Sequence, residues 1–129
     1  MALTKEEVRA IADALLEAAE KVDAYLDANF QKISREEYDS VNESFKTLVR
    51  KSVLVTTEAV GLAIDDLANP ANELKVVIDE VKKEITKLQT IGLIISLVAG
   101  LADLAASIVA RNPDAIIASV INLKNKIGI

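Results

Sequence analysis

Apolar residues recur along this chain at three- and four-residue spacing, and nowhere in strict alternation with polar ones, a pattern that predicts helices and no strand. In the first segment Val8, Ile11, Ala12, Leu15, Ala19, Val22 and Leu26 form one stripe, while Asp13, Glu20 and Asp27 recur every seven residues on the outside. In the second, Tyr38, Val41, Phe45, Leu48, Ser52, Val55, Ala59 and Leu62 follow a near-heptad seam, and beyond Lys51 the apolar arc widens.

Helix starts are written in the polar residues between these stripes. Thr4 with Glu7 and Ser34 with Glu37 match the capping box, in which a hydroxyl and a carboxylate satisfy backbone donors reciprocally. Asn69-Pro70 and Asn112-Pro113 each offer a side-chain cap followed by a proline at the first helical position, where its missing N–H costs nothing. Four starts predict helices over roughly 5–29, 35–68, 70–110 and 113–126. The expected fold is all-α: a single domain over 1–129, an elongated antiparallel four-helix bundle with one long third helix and a short C-terminal helix.

The third helix is the unusual one. At 100° per residue, Leu74, Val77, Ile78, Val81, Ile85 and Leu88 share a face, with Glu80, Lys83, Glu84 and Lys87 opposite. Carried onward, the same face becomes Gly92, Ser96, Ala99, Asp103, Ala106, Ser107 and Ala110, all small or polar. The bulky Leu93, Ile94, Leu97, Val98, Leu101, Leu104 and Ile108 fall on the side that carried charge one turn earlier. A straight helix with one buried face cannot satisfy both halves. Either the helix kinks or breaks near Gln89 to Gly92, or its second half lies central and is buried nearly all round, or the bulky arc faces a second copy or a lipid phase. The short last helix, with Ile116, Ile117, Val120, Ile121 and Ile127, is positioned to cover it. The small stripe has two readings of its own: a close helix contact, or the solvent side of a core helix.

Composition narrows what such a molecule does. The core must come from Leu, Ile, Val and Ala, since there are only two Phe, two Tyr and no Trp. Absence of Cys and His removes disulfides, thiolate chemistry, imidazole ligands and the commonest general base together. Di-iron bundles of the Glu-x-x-His type are therefore excluded, no glycine forms a phosphate-cradling loop, and no cofactor or metal is expected. Charged pairs on one helical face, such as Glu17 with Glu20 or Asp79 with Lys83, read as solvated surface charge. With a net charge of −5, nucleic acid is not an expected partner, and the Arg50-Lys51 run is too short to change that. The acidic start MALTKEEVRAI lacks the apolar region of a Sec-type signal, so a cytoplasmic location or signal-independent export is expected.

Charge also thins toward the C-terminus: residues 91–129 hold three bases and two acids, against eight and fourteen in residues 1–68. The twenty residues IGLIISLVAGLADLAASIVA contain one charge, Asp103, and match a hydrocarbon core of about 30 Å in length. Asp103 costs on the order of 3 kcal/mol in mid-membrane, and the nine uncharged residues between Asp114 and Lys124 are too few for a return pass. The first expectation is therefore a non-enzymatic interaction protein, a homo-oligomer or one that docks a helical protein partner through its apolar C-terminal third. The alternative is a membrane-active protein that inserts 91–110. This layout of long amphipathic helices and one sequestered apolar helix looks like that of soluble α-helical pore-forming toxins, a likeness of pattern without a shared motif. Under either reading the working residues are Gly92, Leu93, Ile94, Ser96, Leu97, Val98, Ala99, Leu101, Asp103, Leu104 and Ile108.

Overall fold

The structure, a computed structural model, describes residues 5–55, 71–87, 90–110 and 112–128. Among them it contains five helices and no strand: α1 (Lys5–Asn29), α2 (Arg35–Val55), α3 (Ala71–Thr86), α4 (Ile91–Val109) and α5 (Pro113–Ile127).

Two of the caps written in the sequence lie within these residues, and both form. Ser34 N–H donates to Glu37 Oε1 at 2.8 Å while Glu37 N–H donates to Ser34 Oγ at 3.1 Å, the reciprocal pair that opens α2. Asn112 Oδ1 accepts from Ala115 N–H at 3.1 Å, with Pro113 in the first turn of α5. That helix ends at Gly128, whose φ of 78° lies where only glycine sits without strain, and whose N–H bonds the Lys124 carbonyl. The Thr4 box, the Asn69-Pro70 cap and the expected second helix beyond Val55 lie outside the described residues.

The expected single helix over 70–110 is instead two, α3 ending at Thr86 and α4 beginning at Ile91. Neither glycine nor proline stands between them, so the division follows from burial rather than from a backbone preference. Leu74, Val77, Ile78, Val81 and Ile85 of α3 are buried; a straight continuation would have aimed Gly92, Ser96, Ala99 and Asp103 at the same core. Interrupting the helix lets α4 turn its bulky side inward. Ile94, Leu97, Val98, Leu101, Leu104 and Ile108 are all fully buried, and Leu93 packs partly buried against them. Each such burial contributes roughly 1.5–3 kcal/mol, which exceeds the few backbone hydrogen bonds forfeited at a helix break. Thr90, the N-cap of α4, makes no side-chain capping bond, so this helix is held by its packing.

α4 packs against α1, α2, α3 and α5, and most extensively against α2. The α2 seam meets it, and its members Val41, Leu48, Ser52 and Val55 are buried. α1 and α2 form an antiparallel hairpin, and Ile11, Ala12, Leu15, Ala19, Val22 and Leu26 are buried as the first stripe predicts. α1 has a further buried side, however: Ala14, Ala18 and Tyr25 are also covered, and Ala14 borders a groove against α3.

α4 and α5 form a second antiparallel pair. A methyl group built on Gly100 would lie 2.6 Å from Leu123 Cδ2, and Lys126 Nζ donates to the Ser96 carbonyl at 3.2 Å. The cover over α4 differs from the expected set. Ile116, Val120 and Leu123 are buried, whereas Ile121 is 52% exposed, because the repeat that faces α4 runs 116, 120, 123, 127.

Two predictions test this packing. Leu123→Ala should destabilise by roughly 2–5 kcal/mol. Gly100→Ala should cost about 0–2 kcal/mol, since overpacking outweighs a helix-propensity gain of about 1 kcal/mol. In the Leu123→Ala background that overlap is gone, and Gly100→Ala should become stabilising; additive effects in a urea-denaturation cycle would show that the two helices do not meet there.

The second concerns Ser52, fully buried with a hydroxyl that has no hydrogen-bond partner among the described residues. Ser52→Ala removes an unsatisfied polar group and favours the helix, so thermal and urea unfolding should show a gain of about 1 kcal/mol. A loss of stability would mean that the hydroxyl is bonded after all.

Candidate interaction site

The eleven residues expected to work as an interaction or membrane segment are divided by the fold. Ile94, Leu97, Val98, Leu101, Leu104 and Ile108 lie in the core, and Leu93 at its margin. Gly92 and Asp103 are exposed, Ser96 and Ala99 half-buried. The small stripe is thus the water-side edge of α4, where the Ser107 hydroxyl donates back to the Asp103 carbonyl at 2.8 Å and a methyl group on Gly92 would meet nothing within 4 Å. Where this edge passes α2, Ala99, Ala102 and Asp103 face Glu43, Ser44 and Thr47 across an opening of about 270 Å³. The bulky residues are brought together, but with one another and with the other helices.

An opening of about 520 Å³ lies between α1 and α3. It has a small-residue floor of Ala10 and Ala14, walls of Asp13 and Glu17 from α1, and Lys75, Asp79, Lys82 and Lys83 from α3. Lys82 Nζ donates to Glu17 Oε2 at 2.7 Å and lies 3.7 Å from Asp79. This hydrogen bond and its accompanying attraction hold the Glu17 carboxyl below its usual range and raise the Lys82 ammonium above its own. Both groups are thereby driven toward their charged forms, the opposite of what a nucleophilic lysine or a general acid needs at neutral pH. The pair is a clasp between helices. A second clasp joins Glu73 of α3 to Lys124 of α5. Among the described residues no group of acids is arranged to hold a metal ion.

The outer face of the α1/α2 hairpin is different in kind. Leu16, Ala19, Glu20 and Asp23 of α1 and Phe45 and Val49 of α2 line a groove of about 280 Å³. The same Phe45 and Val49 continue over the surface of α2 to Lys46 and Arg50. Both apolar side chains pack against the core from its edge and stay half-buried, while the four charged residues are exposed. Phe45 was legible as a seam residue, but its outward edge was not. Val49, Lys46, Glu20 and Asp23 carried no motif; the only hint was the heptad recurrence of acids along the outside of α1.

The Glu17–Lys82 clasp makes a prediction about pH. Glu17 has its folded pKa lowered, so its contribution is present above the free-carboxyl value of 4.5 and lost as pH falls through the folded value. Lys82 has its folded pKa raised, so its contribution is present below 10.5 and lost as pH rises through the folded value. Glu17→Gln should therefore lower the melting temperature at pH 7 by more than at pH 3, and high salt should shrink the gap. An equal gap at both pH values would show that the loss is one of packing.

Family models, curated proteins and solved structures yield no match to this chain.

Proposed function

We propose that this chain is a non-enzymatic helical-bundle interaction protein that self-associates or docks a helical protein partner. Its frame is an elongated antiparallel four-helix bundle, with the third helix divided into α3 and α4. The observation that carries this reading is the Phe45–Val49 groove, an apolar strip on the outside of two rigid helices, bordered by exposed charge. Such a strip with a charged rim is the composition of a helix-docking surface. The apolar C-terminal third supports the reading indirectly: α4 is the core on which the α1/α2 hairpin is seated.

A second reading has its own observation. α4 is 19 residues long with a mean hydropathy of 2.2, so it is long and apolar enough to cross a membrane, although 56% of its most apolar window is buried. As a membrane-active segment it would have to leave α2 and α5 first, and its partner would be a lipid bilayer.

Light scattering across a hundredfold dilution range, with and without anionic liposomes, separates the two. A dimer or larger species at micromolar concentration that ignores lipid at neutral pH is the expected outcome. A strictly monomeric protein removes self-association, and lipid-bound protein that releases trapped dye moves the assignment to the membrane reading.

A further inference from the structure

Resting on that interaction reading, we propose that the occupant of the α1/α2 groove is a second copy of this chain, docked about a two-fold axis that runs along the groove. The face is polarised from side to side. Exposed Glu20 and Asp23 border it on α1, exposed Lys46 and Arg50 border it on α2, and Phe45 and Val49 lie between. Among the described residues none of these four charges makes an ion pair or side-chain hydrogen bond within the chain.

Self-complementarity then selects the axis. A two-fold operator makes the same patch meet itself. With the axis across the groove, acids meet acids and bases meet bases. With the axis along the groove, the α1 edge of each copy lies over the α2 edge of the other, and the two apolar strips meet at the centre. Residues 16–23 of α1 and 45–49 of α2 line the same groove, so in an antiparallel hairpin Glu20 and Lys46 stand near one level along it. The axis therefore brings Glu20 of each copy toward Lys46 of the other, twice per dimer. A chain of net charge −5 discourages indiscriminate contact between copies, and this balanced face is where that repulsion is relieved.

The test is a charge exchange read by light scattering and native mass spectrometry, with circular dichroism to verify helix content. Glu20→Lys and Lys46→Glu are both surface changes, and each should raise the dimer dissociation constant about tenfold or more, because each places like charges opposite one another twice. An equimolar mixture of the two variants should form a mixed dimer of near wild-type affinity, since both repulsive pairs become attractive; a misfolding effect cannot produce that rescue. A dimer indifferent to both substitutions, or a mixture that forms no mixed species, overturns the α1/α2 two-fold while leaving the interaction reading in place. A wild-type chain that stays monomeric throughout overturns the two-fold and removes self-association, leaving only the docking of a helical protein partner.

Discussion

A nineteen-residue helix with hardly any charge must hide one side, and the other elements of the structure are arranged around that requirement. α4 presents six fully buried Leu, Ile and Val residues along its inward side and leaves Asp103 to the water. The α2 seam supplies the largest contact, α5 closes over Gly100 with Leu123, and α3 ends before it would force the wrong side of α4 inward. Charge at the margins then locks the layers, with Glu17 held by Lys82 and Glu73 by Lys124. These ion pairs are partly exposed and add little on their own. Their use is in register, because each joins residues more than fifty positions apart in the chain.

This internal use of apolar residues decides what is left for the outside. A chain that is 51% hydrophobic would be expected to leave a sticky surface, yet its bulkiest stretch is largely consumed by its own fold. What stays on the α1/α2 face is a narrow strip of Phe45 and Val49 between an acidic and a basic edge. A strip of that kind discriminates by charge pattern more than by area, since the apolar part is small and the rim must match.

Much of the helical fold was legible, residue by residue, in periodicity and caps. The Ser34–Glu37 box, the Asn112 cap, the first stripe of α1 and the α2 seam stand where spacing puts them, because a 3.6-residue repeat fixes which side of a helix is buried. What spacing does not carry is the identity of the neighbour. Ala14, Ala18 and Tyr25 stand outside the first stripe, yet they form the second buried side of α1. Ile121 read as cover for α4 and Leu123 did not, because both are apolar and only the crossing of two helices chooses between them. The division of the third helix had no breaker residue to announce it; the reversal of the apolar face was its only trace. The Phe45–Val49 groove was least legible, since a surface made by two helices has no contiguous signature in one.

The close fit of Gly100 against Leu123 also bears on how the molecule is made. α1 and α2 precede α4 in the chain, so the residues that receive most of α4 are synthesised before the apolar segment. α5, which supplies much of the remaining cover, begins at Pro113 soon after α4 ends at Val109, and at about 5–20 residues per second its fifteen residues appear within a few seconds. The interval in which α4 is half-covered, with its Gly100 side bare, is correspondingly brief. With α4 following the hairpin and directly preceding α5, the order of the elements keeps its bulky side close in sequence to the residues that cover it.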